Sequence, residues 1–560
     1  MNQRTVTKIG LFTVFAMLVG SVVGIGIFLK NNSVFRAAGY NPTSIILSWV
    51  IACLICIVTG LSYIDISLSA FSRLGLARWA EKVGGKKLGY FIKFNLPVFY
   101  YGLLLPGISY FAAEILLLNF SGNYGGILSD GLGKFSSISL VIFVGTGLYL
   151  SFLIFNYISL RGAAFFQRWT LVIKFIPLIA VMIFGIVFGA VSGQNNLFFF
   201  QENPAAIPRP DGQPAFVVQN LNLNSIIVAL PAILFAFDSF LNFGTLVPDM
   251  KKPKRDLPFV VAGGIITIGV VYLVITIAQI LVSQGISWNV FNANNLVNTF
   301  GITEVQARQI SGGITQAFFA LILISVLGVL NGFSASSINL YAGTILENQI
   351  IGTRSLLKFA RGNEKLAGLY LQLIISSLWT LLYIGLSYGF NSDVFIDGIT
   401  NFPTLFFFLI YGLLPLLSLI KKVKAKVTRD RRFWVNAVFA VISFVGCWFV
   451  VLYQAIYVFF IRAFMNTGMG IGEAVGWGGF AETLPTATPY YWGVAVLFLV
   501  LLAFFAFAPF VNNFIRKLIN NRPQKYSSLD ELRDQYSRRW RPAKGYSVRD
   551  YEILDEPNLE

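Results

Sequence analysis

Long apolar runs separated by short charged segments recur along the whole chain. A helix that crosses a bilayer needs about 20 mostly apolar residues. The pattern predicts twelve such spans: 9–29, 43–69, 88–119, 137–158, 162–192, 224–248, 257–283, 311–346, 366–389, 396–420, 433–463 and 486–515. Several exceed the thickness of a bilayer, so tilt or protrusion is expected. The expected fold is therefore all-α and polytopic, with twelve transmembrane helices. Around the spans lie a short N-terminal segment (1–8), two long polar connections (193–223 and 464–485), a basic loop (421–432) and a charged tail (516–560). In the tail, Ser528-Leu529-Asp530-Glu531 has the pattern of a capping box before a short helix.

Composition agrees with lipid as the solvent. Of 560 residues, 56% are hydrophobic and 12% charged, where an ordinary globular chain is about 25% charged. A soluble chain of this length would divide into roughly three or four domains, and too few polar residues exist to cover several cores. The net charge of +17 matters through its placement. With the N-terminus inside and the spans alternating, the inside segments and the tail carry most of the 42 Lys and Arg residues. Both termini are then cytoplasmic, in a multi-pass protein of the cell membrane, with 193–223 outside. No small-residue cleavage site follows the first span, so it does not read as a signal peptide. Lys421, Lys422, Lys424, Lys426, Arg429, Arg431 and Arg432 read as a topology signal attracted to anionic membrane lipid, not as a nucleic-acid site.

Other chemistry is narrowed quickly. Histidine is absent, which removes imidazole bases, histidine metal ligands and Ser-His or Cys-His nucleophiles. Cys53, Cys56 and Cys447 fall in apolar runs, so the CxxC spacing of the first two reads as packing. No Walker-type GxxxxGK[ST] is present, nor a channel filter or charged ring. Nothing calls for a metal or cofactor, and the chain does not read as an enzyme.

Two spans depart from plain apolar helices. The first contains Gly20-Ser21-Val22-Val23-Gly24-Ile25-Gly26-Ile27-Phe28. Three glycines in seven residues weaken a helix where lipid offers no substitute hydrogen bonds. The alternative is close helix packing through the GxxxG spacing of Gly20 and Gly24. The sixth span places Pro231 one to two turns before Asp238. A carboxylate at a helix centre costs about 2.5–3.5 kcal/mol on insertion scales. Spans one and six would open two five-helix units running in opposite senses, and matching interruptions in inverted halves point to a transporter's central site. An unwound helix leaves bare N–H groups at one new end and bare C=O groups at the other, each end acting as about half an elementary charge. N–H groups near Ile25, Gly26 and Ile27 suit a carboxylate. Carbonyls near Phe235, Ala236 and Phe237 suit an ammonium. An α-amino acid carries both groups.

These runs resemble a known family. GSVVGIGIFLKNNSVFRAAG, LSW at 47–49, LSYIDIS at 61–67, RWTLVIKFIPLI in the fifth span and FAFDSFLNFGTLVPDMKKPKRDLP are similar to motifs of the amino acid–polyamine–organocation permeases. The resemblance covers roughly residues 8 to 420. It implies a leucine-transporter-like fold: a 5+5 inverted repeat, with 9–192 and 224–420 as the two halves, plus two peripheral helices in 433–515. It also implies an amino-acid permease driven by a proton, sodium or exchange, with a polyamine or other organic-cation carrier as the alternative. By the same resemblance, Val23, Gly24, Ile25 and Gly26 would receive the substrate carboxylate. Phe235, Ala236, Phe237 and Asp238 would receive the amino group, and Phe240 would gate the site. Lys174 would couple transport by joining the first and eighth helices and letting go on deprotonation, or would serve as a structural tie. Ile25, Asp65, Asp238, Ser239 and Asp249 depart from the family pattern, and an arginine often found near Ile338 or Asn339 is missing. Asp238 has three readings: it pairs with a cation, carries the coupling proton, or caps the inner half of the sixth span. Asn331, Ser334 and Ser337 could face the fifth span, 76–85 reads as an amphipathic cytoplasmic connector, and Tyr100 and Tyr101 stand near the expected place of a substrate side chain but read first as packing aromatics.

Overall fold

A computed structural model describes residues 10–70, 75–121, 134–191, 220–245, 247, 250–283, 285–389, 394–426, 430–461 and 489–520. Segment 1–8, most of 193–223, Asp249, Arg429, loop 464–485 and the 528–531 capping box lie outside the described residues.

The described chain is helical. In order, the helices are α1 (Leu11–Val22), α2 (Ile25–Ala37), α3 (Pro42–Ser62), α4 (Ile64–Ser69), α5 (Leu76–Asn95), a π-helical turn (Leu96–Tyr101), α6 (Gly102–Ser121), α7 (Lys134–Ile158), α8 (Leu160–Ile173), α9 (Phe175–Val191) and α10 (Leu223–Ala236). A 3-10 turn (Phe240–Thr245), α11 (Pro253–Val282), a second 3-10 turn (Ser287–Phe291), α12 (Ala293–Phe300), α13 (Glu304–Leu346), α14 (Thr353–Phe359) and α15 (Glu364–Gly389) follow. The chain continues through α16 (Val394–Lys424), α17 (Arg431–Tyr453), a π-helical segment (Gln454–Ile461) and α18 (Pro489–Asn520).

Ten helices among the described residues are long and apolar enough to cross a membrane. The first and sixth spans are not among them, because each is interrupted, leaving the shorter apolar helices α1 and α10. Local chemistry sets several ends. Asn41 accepts the Ser44 N–H at 3.0 Å, with Pro42 in the first turn of α3. Asp430 accepts the Phe433 N–H at 2.8 Å and opens α17. Thr303 and Gln306 form a capping box at the start of α13. The 76–85 connector is helical and merges with the third span across a bend at Gly85, whose φ of 81° lies in the left-handed region.

The first span continues as α2 well beyond the end expected from its apolar run. Lys30, Asn31 and Ser33 look like loop residues but are buried in α2. The reason is a polar knot. Asn31 donates to Thr276 Oγ1 at 3.2 Å and to Gln279 Oε1, both on α11. Trp49 Nε1 on α3 donates to Asn31 Oδ1 at 3.2 Å, and Gln279 Nε2 donates to Ser287 Oγ at 2.7 Å. Every member is therefore hydrogen-bonded inside the bundle, which is what a buried polar side chain requires. At the end of the third span nearer α4, Lys93 makes ion pairs with Glu81 at 3.3 Å and with Glu347 at 2.9 Å, tying α5 to the end of α13.

Candidate functional site

The two interrupted helices pack side by side, α2 against α10, with α3 and α11 to one flank and α16 against α10 on another. In the first span, α1 stops at Val22 because Val23 turns to an extended conformation, and α2 restarts at Ile25. The first N–H groups of α2, from Ile25 through Ile27, have no helical acceptor and point back into the break. On the other side, three carbonyls are engaged by side chains from outside the span. Lys174 Nζ donates to Gly20 O and, at 2.6 Å, to Val23 O. Tyr272 OH on α11 lies 3.3 Å from Val22 O.

Lys174 stands at the junction of the two helices of the fifth span. Pro177 has no N–H to give to the Ile173 carbonyl, so α8 ends at Ile173 and α9 restarts at Phe175 with Lys174 between them. The buried ammonium donates its hydrogen bonds to carbonyls of the broken first span.

In the sixth span α10 ends at Ala236. Phe237, Asp238 and Ser239 form a turn, and the 3-10 segment begins at Phe240. Ser239 has φ 71°, a left-handed conformation that side-chain-bearing residues rarely adopt. Tyr272 OH also lies 3.3 Å from Ala236 O. One hydroxyl proton is thus shared between the open ends of two broken helices. A Tyr272→Phe variant leaves both carbonyls short of a donor and is expected to lose about 1–3 kcal/mol of stability. Thermal unfolding in detergent measures this, and an unchanged midpoint would show that the hydroxyl contributes nothing.

Gly26 sets the distance between the breaks. A Cβ on Gly26 would lie 2.5 Å from Ala236 Cα and 2.8 Å from Ala236 Cβ, so the two backbones touch only because this residue is glycine. Phe237 is fully buried between Trp49 (ring centroids 6.1 Å) and Tyr272 (5.6 Å). Phe240 stacks on Phe408 at 6.0 Å and meets Tyr411 edge-on at 5.8 Å. Phe235 lies under Lys30, whose Nζ is 4.6 Å from the ring centre and donates to Thr400 Oγ1 at 3.3 Å.

Asp238 has hydroxyl and amide partners. Its Oδ1 accepts the Ser239 N–H at 2.8 Å. Its Oδ2 accepts the Tyr100 hydroxyl and, at 2.9 Å, the Thr404 hydroxyl. Among the described residues no cationic side chain pairs with it. On α13, Asn331 donates to Ala163 O (3.0 Å) and Gln167 Oε1 (2.9 Å) of the fifth span and accepts from Asn156 at 3.0 Å. Ser337 instead accepts from Gln372 of α15 at 2.6 Å.

The structure therefore brings Val23, Gly24, Ile25, Gly26, Phe235, Ala236, Phe237, Asp238 and Lys174 to one region, while Phe240 packs toward α16. Sequence reasoning missed Tyr272, Thr404 and Lys30, and took Tyr100 for a packing aromatic near the substrate. Tyr272, Thr404 and Tyr100 sit in apolar runs where a hydroxyl gives no periodic signal. Lys30 was masked by its position just past an apolar run.

A sequence model of the amino acid permease family matches residues 13–513. A serine/threonine exchanger, SteT, of Bacillus subtilis (strain 168) is 24% identical over 328 residues, covering 58% of this chain and 65% of its own. Amino acid transporter protein 6 of Caenorhabditis elegans is 24% identical over 344 residues, covering 59% and 58%. An uncharacterized protein of Mycoplasma pneumoniae (strain ATCC 29342 / M129 / Subtype 1) is 24% identical over 347 residues, covering 58% of each chain. The chain spans less than two thirds of the length of these curated relatives. Among solved structures, the crystal structure of MhsT in complex with L-phenylalanine aligns over 78% of this chain and 97% of its own, with 16% identity and a TM-score of 0.48.

Proposed function

Since the chain belongs to the amino acid permease family, we propose that it is a secondary transporter carrying amino acids across the cell membrane by alternating access. The observation that carries this reading is the meeting of two helix breaks, Val23–Gly24 and Phe237–Ser239, in direct backbone contact through Gly26 and Ala236. The unpaired N–H groups at the start of α2 suit a carboxylate and the carbonyl end of α10 suits an ammonium. A zwitterion is then held largely by main chain, and surrounding side chains set selectivity. The names of the Bacillus and Caenorhabditis relatives support an amino acid as the cargo.

The architecture proposed with it has twelve spans, both termini in the cytoplasm, and two inverted five-helix units, 9–192 and 224–420, beside two peripheral helices. Ten long apolar helices and two interrupted ones, standing first and sixth in order, support that arrangement. For the driving force, the Lys174 ammonium already fills two carbonyls of the first break. This favours a proton gradient, or exchange of one amino acid for another, over a sodium ion at that place.

The test is uptake by purified full-length protein in liposomes, using labelled amino acids under imposed proton or sodium gradients. Counterflow of at least one amino acid is expected, with accumulation responding to the proton gradient if Lys174 couples. Protein that neither accumulates nor exchanges any of them is not an amino acid transporter.

A further inference from the structure

Two costly pieces of backbone converge on one carboxylate. The third span is wound as a π helix over Leu96–Tyr101, a geometry that is rare and concentrated at functional sites. The widened turn is held from outside: Tyr341 OH donates to Pro97 O at 2.6 Å, and Trp379 Nε1 donates to Val98 O at 2.7 Å. Opposite it stands the left-handed Ser239, a strained conformation that persists only where surrounding contacts impose it. Between the two lies the contact of Tyr100 with Asp238.

The Tyr100 ring is fixed by Tyr101 (5.4 Å), Phe407 (5.0 Å) and Phe333 (6.4 Å). A carboxylate offers about four acceptor positions. Ser239 N–H, Tyr100 OH and Thr404 OH take three of them. All three donors are neutral and belong to the protein, so the buried charge is solvated from within.

Resting on the amino-acid transport proposed above, we propose that Tyr100 sets the charge selectivity of the site. By filling Asp238 Oδ2 together with Thr404, it keeps the carboxylate from recruiting a second ammonium and confines transport to amino acids with uncharged side chains. Tyr100 acts through Asp238 and is a positioning residue. Removing its hydroxyl uncovers Oδ2 in a buried place, and a substrate with a side-chain ammonium recovers the lost bond.

The experiment measures counterflow of labelled L-leucine and L-serine by the full-length chain in liposomes, with unlabelled L-lysine, L-arginine and putrescine as competitors. The unaltered protein is expected to ignore the cationic competitors. In Tyr100→Phe, competition by L-lysine should strengthen about tenfold or more relative to competition by L-leucine, the effect expected of a hydrogen bond to a charged group. Adding Asp238→Asn to that variant should abolish the gain. A general loss of packing lowers all transport without changing the lysine-to-leucine ratio. If Tyr100→Phe does not fold, Thr404→Val removes the other hydroxyl from the same oxygen and should shift the ratio the same way. A ratio that does not move in the folded variant, a gain that survives Asp238→Asn, or an unaltered protein that already prefers lysine overturns the proposal. Unaltered protein that moves no amino acid removes the transport reading itself, and this inference with it.

Discussion

Gly26→Val is expected to abolish uptake, by about a hundredfold or more, while leaving a helical protein in the membrane. Even alanine places a Cβ 2.5 Å from Ala236 Cα, against the 3.4 Å where ordinary contact begins, so the two helix breaks must separate. The obstacle is backbone, which cannot rotate away as a side chain can. Overpacking of this kind typically costs about 1–3 kcal/mol, and here the distortion falls on the groups proposed to grip the substrate. Gly26→Ala should retain reduced transport and Gly26→Val none. Gly385→Ala provides the contrast: nothing lies within 4 Å of its Cβ position in α15, and alanine there is expected to be neutral or stabilising by up to about 1 kcal/mol. Counterflow in liposomes and thermal unfolding in detergent separate the two. Full transport by Gly26→Val would mean that the contact is not part of the site.

Lys174→Ala is the second large effect. It withdraws a charged donor from Gly20 O and Val23 O at once. Hydrogen bonds to charged groups contribute about 1.5–3 kcal/mol each, so a loss of at least about 3 kcal/mol, or roughly a hundredfold in transport, is expected. Lys174→Arg should not restore activity, because a planar fork does not reproduce a compact ammonium converging on two carbonyls. The discriminating measurement is accumulation under an imposed proton gradient beside counterflow without one. A coupling group removes the first and spares part of the second. Equal loss of both leaves Lys174 as a tie between the fifth and first spans.

The breaks themselves were legible because glycine, proline and an intramembrane carboxylate are conspicuous in apolar sequence. Gly24 and Asp238 stand in the breaks Val23–Gly24 and Phe237–Ser239, whereas Pro231 lies inside α10. The extent of the first span was not legible. Lys30, Asn31 and Ser33 resemble a loop until the partners on α3 and α11 are known, and those partners lie 18 to 248 positions away for Asn31. The same limit hid the pairing of Tyr100 with Asp238: the two are 138 positions apart, and the π turn that aims the phenol depends on acceptor carbonyls claimed by Tyr341 and Trp379. Tyr272 gave no signal because its ring satisfies the apolar pattern of α11 while its hydroxyl serves two distant carbonyls. Chain composition reports on what a residue is, and these roles are set by what faces it.

The helix-end donors and acceptors at the two breaks belong to peptide groups, which no substitution other than proline can delete. Ile25, at the start of α2, therefore keeps its backbone N–H whatever non-proline side chain the position carries. Inheritance is free to revise the lining of such a cleft generation by generation, provided the single hydrogen on Gly26 that lets the strands of polymer meet is left alone.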